Sequence, residues 1–280
     1  MKMKKQKKGF KPLNVLGNLM VYAYALILTV PLFYAVITAF KSEQERVVDP
    51  IGLPESFKFD NFVTAWVEGG LLNAAINSIV ISCCSTLLLL FFVIIVSYCL
   101  NRIRDTKTGT ALYMLVLSSM FIPHVGTTTM LVLRRNMGLY NNLFGEIFVS
   151  SFGITMGVFL VSGFLRTIPR DLEEAAMMDG ASDTKICFQI IAPVIKPSLV
   201  TVGILAFKSS WNNALGPMLT LRDEKLYTIP MALLLNFTKE YATEYTTMFA
   251  GVIMTSIPII IVYCMCQKSF VSAMAGSVKG

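Results

Sequence analysis

The stretch EEAAMMDGASDTKICFQIIAPVIKP, Glu173 to Pro197, is charged and coded for helix, in a chain whose mean hydropathy is +0.64. Asp171, Glu173 and Glu174 put negative charge at the positive end of a helix, and Pro169 suits its first turn. Gly180 predicts the stop. Ser182 then caps a second short helix, which runs through Ile186, Ile190 and Ile191 until Pro193 prevents continuation. Each helix is about ten residues long, too short to be stable alone in water. Something has to pack against them. Ile186, Cys187 and Ile190 give one apolar stripe at helical spacing, and Leu172, Ala175 and Ala176 give another. Such faces either bury themselves on the ends of the protein's own helices or dock on a partner, and the residues alone leave both readings open.

The rest of the chain is membrane-like. Of its 280 residues, 55% are hydrophobic and 15% charged, where a soluble domain carries roughly a quarter charged. Apolar runs of about 20 residues or more predict six spans: Leu13–Phe40, within Leu71–Leu100, Thr110–Leu133, Leu143–Leu165, Pro197–Leu221 and Tyr245–Cys266. The expected class is an all-α integral membrane protein with one transmembrane domain over 13–280. Residues 1–12 form a basic cytoplasmic start, residues 166–196 a cytoplasmic loop between spans four and five, and 267–280 a tail. The opening MKMKKQKKGFKP is followed by an apolar run too long for a cleaved signal core, so an uncleaved first helix is expected.

Orientation follows from Lys and Arg in alternate loops. One side holds fifteen: the six lysines before Leu13, then Arg102, Arg104, Lys107, Arg166, Arg170, Lys185, Lys196, Lys268 and Lys279. The other holds eight, namely Lys41, Arg46, Lys58, Arg134, Arg135, Arg222, Lys225 and Lys239. The bias puts both termini in the cytoplasm and makes the net charge of +7 a topology signal rather than a nucleic-acid one. The six cysteines have neither zinc-ligand spacing nor places in outer loops, and are read as small apolar filler.

The signature stretch resembles the cytoplasmic loop of permease subunits of binding-protein-dependent ABC importers, E-A-A-x3-G-x9-I-x-L-P. Here it reads Glu174-Ala175-Ala176, Gly180, Ile190-Ile191-Ala192-Pro193, departing only at Ala192, where the family usually has Leu. LPESFKFDNF, FIPHVGTTTMLVLRRNMGLYNN, GFLRTIPRDLEEAAMMDGAS, SSWNNALGPML and QKSFVSAMAGSVKG extend the likeness along nearly the whole chain. They are similar to the maltose and multiple-sugar type, and to the second permease of such a pair. The resemblance implies a coupling helix seated in a cleft of a cytoplasmic ATPase dimer, through Glu174, Ala175, Ala176, Asp179, Gly180, Ile190 and Pro193. Glu174 would meet a basic residue there, and Gly180 would allow the bend. It further implies a sister permease, an extracytoplasmic sugar-binding protein, and ATP with Mg2+ held by the ATPase. No cofactor is implied for this chain, which has no G-x-x-x-x-G-K-[ST] phosphate loop.

Polar residues at membrane depth are costly and therefore informative. Trp211, Asn212 and Asn213 fall in the fifth run, after Ser209 and Ser210, and could line a sugar pathway or tie helices together. Lys208 is expected near mid-helix, sharing a face with Trp211 and Asn212 at i, i+3 and i+4. His124 after Pro123 reads as a kink with a satisfied histidine, and Pro31, Pro217 and Pro258 as tolerated kinks. The outer loop from Arg222 to Glu244 is either a solvated connection or, as the resemblance implies, a reach toward the binding protein. With spans read as nearly uncharged and without an internal repeat, a stand-alone secondary carrier is disfavoured. A membrane enzyme is disfavoured by one histidine and an expected lack of intramembrane carboxylates. An ABC permease for amino acids or peptides is the closest rival to a sugar permease.

Overall fold

In the computed structural model residues 12–121, 127–237 and 244–277 are described, with side chains for 17–121, 128–237 and 244–265. The described residues contain helices and no strand. In chain order the helices are α1 (Pro12–Ala39), α2 (Glu43–Val48), α3 (Asp60–Val67), α4 (Leu71–Arg102), α5 (Lys107–Ser118), α6 (Thr127–Asn136), α7 (Leu143–Ser151) and α8 (Thr155–Leu165). Then come α9 (Asp171–Met178), α10 (Asp183–Lys185), a π-helical turn Ile186–Ile191, α11 (Ala192–Val194), α12 (Lys196–Trp211), α13 (Leu215–Thr220), α14 (Ile229–Phe237) and α15 (Tyr245–Ser277).

Among the described residues four helical segments are long and apolar enough to cross a membrane: Gly17–Ala39, Leu71–Arg102, Leu143–Leu165 and Tyr245–Met265. A fifth results if Asp183–Val194 and Lys196–Trp211, bent by 82°, count as one span. The expected third run, Thr110–Leu133, is divided between α5 and α6, and residues 122–126, His124 included, lie outside the described residues. Pro31 and Pro258 sit inside α1 and α15 without ending either helix. Beyond the last expected span, α15 continues through residues 267–277, so most of the expected tail is helix.

Helix α4 organises the bundle. At 32 residues it is about 48 Å long, and α7, α8, α12 and α14 all pack on it. Two buried clusters lie along its length. One joins Leu89 and Val93 to Val158, Val161 and Leu165 of α8 and to Val202 of α12, and continues into Ala176, Ile186, Cys187, Ile191 and Ile195. The other joins Leu71 and Ala74 to Ala39, Ala65, Trp211, Ile229, Phe237 and Ala250. Gly157 lets α8 approach closely: a Cβ there would come within 2.6 Å of Val93 Cγ2 and 3.0 Å of Val202 Cγ1. Helix α1 packs chiefly on α15 and leaves Leu19, Tyr22, Leu26 and Leu32 exposed, an apolar surface suited to lipid or a membrane partner.

The corner between α8 and α12 follows its local sequence closely. Gly180 has φ +76°, its N–H donates to the Met177 carbonyl at 3.0 Å, and the Ala181 N–H donates to the Ala176 carbonyl at 3.0 Å. This is the glycine C-terminal motif that satisfies orphan carbonyls. Ser182 Oγ accepts from the Lys185 N–H at 3.4 Å, as an N-cap should. Two expectations are corrected. Pro169 precedes α9 instead of opening it, since the helix starts at Asp171. Pro193 does not end the second helix. The π turn shifts hydrogen bonding by one residue, so the Ala192 N–H reaches back to the Cys187 carbonyl, and Pro193, which has no N–H to place, follows without breaking the turn. The chain turns at Ile195 instead, two residues later.

Candidate functional site

A cavity of about 460 Å3 opens between α4, α7, α8 and α12. Its polar wall comes from Ser85 and Thr86 of α4, Ser150 of α7, and Ser209, Ser210 and Asn213 at the end of α12, set against Leu89, Met156 and Val202. Ser85 Oγ donates to Ser210 Oγ at 3.3 Å, while Thr86 Oγ1 is buried without a partner. Among the described residues no ionisable side chain lines the space. Hydroxyls and one carboxamide in a half-apolar chamber suit a neutral solute rich in hydroxyl groups.

The sequence-derived pathway residues divide around this cavity. Asn213 lines it, and its Oδ1 also accepts from the Gly216 N–H at 3.2 Å, capping α13. Trp211 does not share the exposure of Lys208: it is 3% exposed and stacks on Phe207 at 5.6 Å within the second cluster. Lys208 and Asn212 remain exposed. Nor is Lys208 near mid-helix. Helix α12 stops at Trp211, and the Asn212 N–H and side-chain amide each donate to the Lys208 carbonyl at 3.1 Å. The lysine therefore lies in the last turn, where a cation complements the helix dipole. Pro217 falls in the first turn of α13, where its missing N–H costs nothing.

At the far end of α8 the corner presents two faces. Inward, Ala176, Ile186, Cys187, Ile191 and Ile195 are buried in the first cluster. Outward, Glu174, Ala175, Asp179 and Pro193 are exposed, as are Leu172, Met177, Met178 and Phe188. Burial on the protein's own helices therefore holds for the inward face, and the outward face is left uncovered. Ile190 is half-buried and Ile191 fully buried. Glu174 borders a recess of about 220 Å3 with Asn101, Arg102, Arg170, Glu173 and Met177.

Two sets of charged contacts are not legible in the sequence. Arg102, at the end of α4, pairs with Asp183, donates to Tyr98 Oη at 3.3 Å and meets Met177 Sδ at 3.5 Å, so it ties α4 to both halves of the corner. Arg170 pairs with Asp105 at 2.6 Å. The second set corrects the expectation of carboxylate-free spans. Glu146, within the fourth apolar run, is 1% exposed, pairs with Arg134 at 2.5 Å and accepts the Thr220 hydroxyl. Its signal was an acid just inside an apolar run that opens after two arginines. A neighbouring turn adds to this end of the molecule: Asn141 Oδ1 accepts from the Arg222 N–H at 2.7 Å and the Asp223 N–H at 3.1 Å.

The profile of the family described as "Binding-protein-dependent transport system inner membrane component" matches residues 94–268. The probable ABC transporter permease protein YurM of Bacillus subtilis (strain 168) is 30% identical over 93% of this chain and 87% of its own length. The melibiose/raffinose/stachyose import permease protein MelC of the same organism is 34% identical over 90% of this chain and 91% of its own. The diacetylchitobiose uptake system permease protein NgcG of Streptomyces coelicolor (strain ATCC BAA-471 / A3(2) / M145) is 25% identical over 94% and 87%. Among solved structures, a chain of a bacterial ABC transporter involved in the import of the acidic polysaccharide alginate superposes with a TM-score of 0.82, covering 96% of this chain and all of that one at 23% identity. The helical, membrane-spanning fold is thus that of an ABC importer permease, and the chain belongs to the family of binding-protein-dependent transport system inner membrane components.

Proposed function

We propose that this chain is one of two permeases in an ATP-driven importer of a sugar or oligosaccharide. The observation that carries the reading is likeness, over about nine-tenths of both chains, to a permease named for melibiose, raffinose and stachyose. A cavity lined by hydroxyls and a carboxamide supports a neutral, hydroxyl-rich cargo. In this reading six spans cross the membrane with both termini in the cytoplasm, and a sister permease completes the pathway. A sugar-binding protein delivers cargo from outside. An ATPase dimer, which alone holds ATP and Mg2+, drives the cycle. The outward face of α9, with Glu174 at its centre and Met177 and Met178 beside it, seats in the ATPase. Gly180 holds the bend that lets the corner move as a unit. Asn213 is the side chain of the fifth run that meets the cargo, while Lys208 and Asn212 face the sister permease or water.

Uptake in intact cells tests this. Removing the chain should abolish uptake of an α-galactoside, a chitobiose-type or a starch-derived oligosaccharide while amino-acid and peptide uptake continue. Retained uptake of every oligosaccharide with lost peptide or amino-acid uptake would overturn the sugar assignment. Glu174→Ala should reach the membrane in normal amount and reduce uptake sharply, since removing one partner of a desolvated pair costs about 2–5 kcal/mol.

A further inference from the structure

The end of α4 borders a cavity that neither the cargo route nor the corner uses. About 530 Å3 in volume, it lies between the last turn of α4, the first turns of α5 and the end of α8. Arg104, Arg166, Asn101, Tyr113, Ser162 and one carboxylate, Asp105, are in its wall. The guanidinium of Arg166 lies over the Tyr113 ring, 4.8 Å from its centroid, and among the described residues it has no carboxylate partner. Stacking occupies the guanidinium face and leaves its in-plane N–H donors free. Arg104 donates to Asn101 Oδ1 at 3.3 Å, and its nearest acid is Asp105 at 3.7 Å. That carboxylate is already engaged by Arg170 at 2.6 Å, so positive charge is left over in the wall. Ser162 supplies an independent sign: it is 4% exposed, and its Oγ has no hydrogen-bond partner. The C-terminal ends of α4 and α8 favour cations and so account for the two arginines being there. They do not account for the open volume or for a buried hydroxyl left unsatisfied beside it.

We propose that this cavity is a binding site for a phosphate-bearing anion, held between Arg104 and Arg166 with the Ser162 hydroxyl beneath it. Two planar forks and a hydroxyl fit the tetrahedral oxygens of a phosphate group. The phosphate can belong to an anionic lipid headgroup or to a small soluble phosphate.

The test uses the importer complex purified in detergent, titrated separately with short-chain phosphatidylglycerol and with inorganic phosphate, and bound molecules counted by native mass spectrometry. Saturable binding of phosphatidylglycerol alone supports the site and assigns it to lipid. Binding of inorganic phosphate as well supports it and assigns it to the phosphate group itself. Arg104→Gln and Arg166→Gln should each weaken binding about tenfold, as the loss of one charge-assisted contact does. Both positions are partly or fully exposed, so the fold should survive, and Arg166→Lys should restore only part of the affinity. Ser162→Ala should weaken binding a few-fold. If neither probe binds, or if the double variant Arg104→Gln/Arg166→Gln binds as tightly as the unaltered complex, the site is excluded.

Discussion

The two ends of the Leu143–Leu165 segment are held by opposite means. At the corner that follows α8, apolar burial does the holding, and the ion pairs Arg102–Asp183 and Arg170–Asp105 stand in the open, with Asp183 68% and Asp105 69% exposed at their side chains. At the other end, where α6, α7 and α13 meet, the ion pair is itself largely buried: the side chains of Arg134 and Glu146 are 13% and 2% exposed, and Thr220 gives Glu146 a further hydrogen bond. Identical chemistry therefore carries different weight. An exposed pair contributes about 0–1 kcal/mol, whereas breaking a buried one costs about 3–5 kcal/mol because the survivor is left charged and dry.

The largest effect expected from that contrast is at Glu146. Glu146→Ala should destabilise the protein by about 3–5 kcal/mol, read as a fall in melting temperature of the purified complex in detergent. Replacing both members, Arg134→Leu with Glu146→Leu, should recover most of the loss, since no unpaired charge remains. A single variant that melts normally would erase the distinction between the two ends.

Next in size is the apolar side of the corner. Ile191 is fully buried in the first cluster, and Ile191→Ala should cost about 2–5 kcal/mol, nearer the lower figure because α9 can close part of the gap. Gly180→Ala should cost less, about 1–2 kcal/mol, from the left-handed φ of +76° alone. Nothing lies within 4 Å of the Cβ it would add, so no clash contributes. Gly180→Asn should be milder still. If the alanine and asparagine variants melt alike, the backbone is not what shapes this turn.

The corner was legible because its rules are local: an acidic first turn, glycine in the left-handed position, a serine cap. What was not legible depended on partners distant in sequence or on register. Pro193 reads as a terminator by itself, and only the π turn before it, formed where Ile186 and Ile191 must both face the core, makes room for it. Lys208 reads as mid-helix because apolar residues run on to Leu221. Asn212 and Asn213 instead spend their amides on nearby backbone, which ends one helix and starts another. Trp211 reads equally well as stacking platform or core, and the second cluster takes it. Glu146 hides because a hydropathy window tolerates one carboxylate, and its partner lies twelve residues earlier, across the turn containing Gly138 and Asn141, both at positive φ.

The smallest effect should come from Arg102, and it sharpens the comparison most. Arg102 touches Asp183, Tyr98 and Met177, more partners than any other charged residue at the corner, so a tally of contacts would rank it first for stability. Exposure argues the reverse. Its side chain is 36% exposed and that of Asp183 is 68% exposed, so water and salt screen the pair, and the gain is offset by the entropy of holding two long side chains in place. Arg102→Gln should therefore lower stability by less than about 1 kcal/mol, and the difference should shrink further in high salt. Its place matters for another reason. Arg102 ends the long helix that borders the cavity between α4, α7, α8 and α12 and reaches both halves of the corner, so it should link movement of one to movement of the other. Arg102→Gln should accordingly reduce uptake per ATP hydrolysed several-fold at nearly unchanged melting temperature, with the exchange Arg102→Asp/Asp183→Arg restoring part of it. A melting temperature lowered as far as that of Glu146→Ala would show that exposure does not separate the two ends, and the comparison would fail.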